Sequence, residues 1–206
     1  MGLPIFVDDL VVVALADGPA LAAYDRPTGT LLWRKTLNAP VLSGPVLAGG
    51  HVWIGTESGL TPCDLTSGGL PMAVDETGAP TEPMKPVACG RVTTPLVTDD
   101  ALIACISDAG KLLLVDVKTG ETVRTIARAG KGVPPVLAGA QMLYYDGTAI
   151  KRCTIAEKKK RAASWFKDLD DLFEAKLTSP MIVVDGTVYA GTDTQGLFCI
   201  GPPKKK

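Results

Sequence analysis

The side chains with most capacity for chemistry in this 206-residue sequence are five cysteines, one histidine and a recurrent set of acidic residues. Cys63, Cys89, Cys105, Cys153 and Cys199 include no adjacent pair and no Cys-x-x-Cys spacing, so neither a disulfide framework nor a zinc site is expected. Cys63, Cys105 and Cys153 lie in apolar runs, and Cys199 stands one place earlier in its run than Cys63 and Cys153 do; all four read as small core side chains. Cys89, in a proline-rich segment, is the thiol expected to react. His51 is the only histidine and has no Ser, Cys or second ligand in a recognisable arrangement, so no triad and no histidine metal site is read here. The sequence therefore assigns no catalytic, cofactor-binding or metal-ligating residue, implies no cofactor, and reads as that of a protein that is not an enzyme.

The acidic residues point instead to the scaffold that carries them. Asp17, Glu57, Asp108, Asp146 and Asp193 each follow an apolar run at the same relative place. Such residues make good turns, and turns stacked on one face would form a carboxylate ring able to attract a cation or a basic peptide. Upstream of each lies a unit that opens on a proline: Pro4, Pro45, Pro95, Pro135 and Pro180, spaced 41, 50, 40 and 45 residues apart. After each proline come a short apolar run, a turn pair and a second apolar run. The turn pairs are Asp8-Asp9, Gly49-Gly50, Asp99-Asp100, Gly139-Ala140 and Asp185-Gly186. A third run follows the acidic turn. Three strands, tight turns and a more variable fourth strand describe one propeller blade, and self-similarity at this period marks a repeat architecture. The strands are apolar nearly throughout because a blade between neighbours buries both faces. The expected fold is all-β, a β-propeller of about five four-stranded blades over 1–206, with blades at approximately 1–38, 39–88, 89–129, 130–174 and 175–206.

Ala23-Tyr24-Asp25-Arg26-Pro27-Thr28-Gly29-Thr30-Leu31-Leu32-Trp33 fits A-x-D-x-x-T-G-x-x-x-W in full. This resembles the tryptophan-docking repeat of PQQ-like, quinoprotein-type propellers. The resemblance implies that Trp33 wedges between blades while Asp25 and Thr28-Gly29 shape the turn into the outer strand. Asp116 and Thr119-Gly120 repeat the core with Arg124 at the Trp place, and Asp64 and Ser67-Gly68 do so with Met72 there. Relatives include PQQ-dependent dehydrogenases, which usually carry a vicinal Cys-Cys and a calcium site, and the lipoprotein scaffold of outer-membrane protein assembly. With no Cys-Cys here, the resemblance favours the non-catalytic branch: a binding or scaffold module contacting protein partners through face loops, in the bacterial periplasm or envelope. A piece of a quinoprotein oxidoreductase and a small-ligand sensor are the alternatives.

Charge and hydropathy narrow the partners. Lys+Arg 21 against Asp+Glu 22 leaves a net charge of -1, which gives no whole-chain attraction for nucleic acid. The apolar run from Leu10 to Ala16 falls well short of a membrane span, and Met1-Gly2-Leu3-Pro4 shows no signal-peptide pattern. The last unit is expected to lack its outer strand, so a longer propeller, or a partner chain that completes this one, is the expectation. Two insertions are candidate contacts. Leu70 to Val92 is proline-rich and acidic. Glu157 to Lys176 carries Lys158-Lys159-Lys160-Arg161, an expected outer strand at Ser164 to Phe166, and an acidic stretch expected to form a helical turn. Trp165, Phe166 and Phe173 there, and Asp17, Glu57, Asp108 and Asp193 on the turns, are the candidate partner-binding residues.

Overall fold

A computed structural model describes residues 3–15, 17–98, 101–138, 141–154, 163–164, 176–184, 187–193 and 196–200. Every regular element among them is a strand. In the first sheet, β1 (Ile5–Val7), β2 (Leu10–Ala14), β3 (Ala20–Asp25) and β4 (Leu31–Thr36) lie antiparallel in chain order. The second sheet starts likewise with β5 (Val46–Ala48), β6 (His51–Gly55) and β7 (Gly59–Asp64). The chain then leaves it to form a separate hairpin, β8 (Met72–Val74) with β9 (Pro80–Pro83), before β10 (Val87–Ala88) returns to pair with β7 as the fourth strand. The prolines of β9 suit an edge, where no ladder hydrogen bond is lost.

The third sheet comprises β11 (Val97–Thr98), β12 (Leu102–Ile106), β13 (Leu112–Asp116) and β14 (Thr122–Ile126). In the fourth are β15 (Val136–Ala138), β16 (Gln141–Tyr145), β17 (Ile150–Thr154) and β18 (Ala163–Ser164). The fifth has β19 (Ile182–Val184), β20 (Thr187–Thr192) and β21 (Gly196–Ile200) among the described residues. The first strands β5, β11, β15 and β19 lie side by side, which places them innermost.

Turn chemistry sets the register. Gly49 and Gly50 both take positive φ, 58° and 78°, which is the type I′ geometry that a two-residue hairpin needs. Val46 therefore pairs with Trp53. Val97 pairs with Ala104 at the same separation. The expected turn pairs Asp99-Asp100, Gly139-Ala140 and Asp185-Gly186 lie outside the described residues.

With this register, alternate residues of each second strand face opposite neighbours, and the core resolves into four layers between consecutive sheets. Val12, Leu21 and Ala23 of the first sheet meet Val52, Ile54 and Cys63 of the second. Trp53 and Leu60 meet Ile103, Cys105, Leu113 and Val115 of the third. Ala104, Ile106, Leu112 and Leu114 meet Met142, Tyr144 and Cys153 of the fourth. Leu143, Tyr145 and Ile150 meet Val188 and Ala190 of the fifth. All five residues of β12 are buried, whereas β20 alternates half-buried and buried along its length. That difference separates a sheet covered on both faces from one covered on a single face.

Candidate functional site

The repeat motif works as a turn that seats the preceding sheet. The Asp25 carboxylate accepts from the Thr28 backbone N–H at 2.9 Å and from the Thr28 hydroxyl. Asp64 Oδ1 accepts from the backbone N–H groups of Thr66 and Ser67 and from both hydroxyls, at 2.7 to 3.2 Å. Asp116 Oδ1 accepts from Lys118 N and Thr119 N. Burial pushes the Asp64 carboxyl up, but the bonds from Ser67 and Thr66 outweigh it and hold the pKa below the ordinary value. Each turn ends on a glycine with φ near 70°: Gly29, Gly68 and Gly120. Trp33 of β4 lies against the turn of the next sheet and donates Nε1–H to Leu65 O at 3.0 Å. A Cβ on Gly68 would stand 2.7 Å from the Trp33 ring, so the residue must be glycine for the indole to dock.

The second sheet departs from the expected pattern. Met72, at the Trp place in sequence, is exposed. Met84, from the insertion, is buried and packs over Gly120 as Trp33 packs over Gly68. Sequence spacing hid this, because the β8–β9 hairpin displaces the docking residue from its usual distance behind Asp64.

The acidic turns all connect the second and third strands, so they share the end at which the first strands begin. Among the described residues each carboxylate has a local partner. Asp17 pairs with Arg34 at 3.2 Å, and Asp146 with Lys151 at 3.4 Å. Asp193 Oδ1 accepts from Lys176 N. Glu57 and Asp108, from different sheets, converge on Arg91, with Nη1 3.6 Å from Glu57 and Nε 3.9 Å from Asp108. Arg91 carried no signal in the sequence, since it belongs to neither turn. At the same end a cavity of about 470 Å³ lies between the first three sheets, lined by Leu3, Pro4, Ile5, Leu42, Pro45, Val46, Pro95 and Leu96 among others. Ser43 and Thr93 add hydroxyls to this mixed lining, which contains no titratable side chain to act as a base. Trp165, Phe166 and Phe173 lie outside the described residues, as do the expected helical turn and residues 165–166 of the expected outer strand.

Burial sorts the thiols. Cys63, Cys105 and Cys153 are buried and Cys199 is exposed. Burial pushes the Cys63 thiol up to about 12, the nearby Lys35 acting in the opposite direction. Cys89 is half-buried. His51 is held below the ordinary imidazole pKa by burial, against Asp64 opposite it on β7, and its Nδ1 has no hydrogen-bond partner.

The largest exposed apolar side chains concentrate at the two ends of the sheet series. Phe6, Leu31 and Leu32 lie on the first sheet, and Ile182, Val184 and Leu197 on the last. Phe6 keeps 62% of its surface exposed despite the Arg26 guanidinium 5.8 Å above its ring. Its cross-strand neighbours on the same face are Val11 and, across β3, Tyr24. On the last sheet Ile182, Tyr189 and Cys199 form one cross-strand row. In the three sheets between, the exposed large apolar residues among the described ones are Leu70 and Met72, both in the second-sheet insertion.

Four-stranded antiparallel modules layered face to face, with an inter-sheet tryptophan seated on the Asp64–Ser67–Gly68 turn of the next sheet, define a PQQ-like repeat protein of propeller type. A family model described as outer membrane protein assembly factor BamB matches residues 1–200, and the chain belongs to that family. Among solved structures, the computationally designed Ika8 protein is similar at 14% identity and a TM-score of 0.65, over 97% of this chain and 57% of that one. The chain thus spans little more than half the length of that relative. BamB from Moraxella catarrhalis is similar at 17% identity and a TM-score of 0.43, over 100% of this chain and 84% of that one. No curated protein matches the chain in sequence. No helix among the described residues is long and apolar enough to cross a membrane.

Proposed function

We propose that this chain is a non-enzymatic binding scaffold of the bacterial envelope that holds a protein partner, in keeping with the assembly-factor description of its family. The observation that carries this reading is that, among the described residues, the large exposed apolar side chains lie on the first and last sheets, apart from Leu3 and the second-sheet insertion. Contiguous apolar surface of this kind marks interaction sites. The partner that fits presents a flat apolar sheet face of its own, because four such pairings already exist inside the chain. The turn residues Asp17, Glu57, Asp108 and Asp193 would extend the contact, and Trp165, Phe166 and Phe173 remain candidate partner-binding residues.

Photo-crosslinking in the native cell tests this. A benzophenone side chain at position 6 or 197 is expected to give adducts with a component of outer-membrane protein assembly, and one at Glu82 on the β8–β9 hairpin is not. Equal yields at all three positions, or turnover of an alcohol with added PQQ and calcium, would count against the proposal.

A further inference from the structure

Two of the five thiols meet across the boundary between the second and third sheets. Cys105 lies in β12, fully buried and turned towards the second sheet with Ile103 and Leu113. Cys89 directly follows β10, the outer strand of the second sheet, and packs against that same cluster. Each thiol is the largest influence on the other's pKa, Cys89 being lowered and Cys105 raised. The chain between them is anchored along β12. Asp108 N–H donates to Arg91 O at 2.8 Å. The Thr94 hydroxyl donates to Ile106 O at 3.0 Å and accepts from Ile106 N–H at 3.3 Å. A shared apolar cluster, a backbone tied along β12 and unequal exposure together mark a dithiol pair, which separation in sequence had concealed.

We propose that Cys89 and Cys105 are a redox-active pair that closes to a disulfide, locking the second sheet to the third. Cys89 is the attacking group, because it is half-exposed and the neighbouring Cys105 thiol lowers its pKa. Cys105, buried and held in its protonated form, is the resolving group. The oxidant class is a small-molecule disulfide such as oxidised glutathione. The Cys89 thiolate attacks one of its sulfurs, the S–S bond breaks, and one small thiol leaves, giving a mixed disulfide on Cys89. The Cys105 sulfur then attacks the Cys89 sulfur, and its proton passes to the second departing thiol. The net change is two protein thiols and one small disulfide converted into one protein disulfide and two small thiols.

The test is to treat the whole chain with oxidised glutathione, block the remaining thiols, and map the digest by mass spectrometry. The expected result is loss of two hydrogen masses from the intact protein and a linked fragment joining Cys89 to the Val92–Lys111 peptide. The melting midpoint should also rise by roughly 5–10 °C, which a reductant reverses. Cys89→Ser should abolish the link and Cys63→Ser should leave it intact. Differential alkylation of the unaltered chain gives the same answer if either variant misfolds. A glutathione adduct that persists on Cys89 overturns the proposal. So does oxidation confined to dimers through Cys199.

Discussion

In the first three repeats one carboxylate organises the turn after the third strand, and in the second and third that turn seats a side chain of the preceding sheet. Asp64 accepts four hydrogen bonds from Thr66 and Ser67, so Asp64→Ala is expected to cost about 1–2 kcal/mol in chemical denaturation. Gly68→Ala should cost at least about 1 kcal/mol, from its positive φ and from the Trp33 ring behind it. Asp64 and Asp146 are both held below the ordinary carboxyl value, burial acting upwards and hydrogen bonds prevailing. The unfolded chain therefore takes up protons at higher pH than the folded one. Stability is fully present above about pH 4 and falls as the pH drops through that value. His51, lowered by burial, adds a loss that begins as the pH falls below about 6.5. Denaturation midpoints measured from near neutrality to about pH 3 should fall monotonically, and a maximum on the acid side would contradict this assignment. The Asp-Thr-Gly turn and Trp33 were legible in the sequence because they lie within one contiguous motif. Arg91, Met84 and the Cys89–Cys105 contact were not, since each depends on which residues folding brings together across two sheets.

At the level of single sheets, equivalent positions have opposite surroundings. Leu60 pairs with Gly55, and Leu197 pairs with Gly191, at the same place in their sheets. Leu60 is 0% exposed between the second and third sheets, while Leu197 is 76% exposed on the last. Leu60→Ala should therefore cost about 2–5 kcal/mol, and Leu197→Ala no more than about 0.5 kcal/mol. Equal costs in denaturant titrations would mean that the outward face of the last sheet is covered. The strand–turn–strand pattern was readable along the chain, because two-residue turns between apolar runs leave little choice of pairing. The β8–β9 hairpin was hidden, since its prolines and acidic residues read as loop.

For the whole molecule, four apolar layers join five sheets, and the end sheets carry apolar surface outward. Sequence periodicity conveyed the layering, but exposure at the ends is a property of the assembled sheets alone. Phe6→Asp and Leu197→Asp should each leave the fold intact and reduce partner crosslinking several-fold, because both lie on faces outside the four layers.

Amide hydrogen exchange of the dilute, isolated chain probes the layered arrangement with open ends most directly. Strands β6, β12, β13 and β16 should exchange slowest, and β19 and β21 of the last sheet much faster. If β19 to β21 proved as protected as β12 and β13, the outward faces would be buried and the proposed binding surface would not exist.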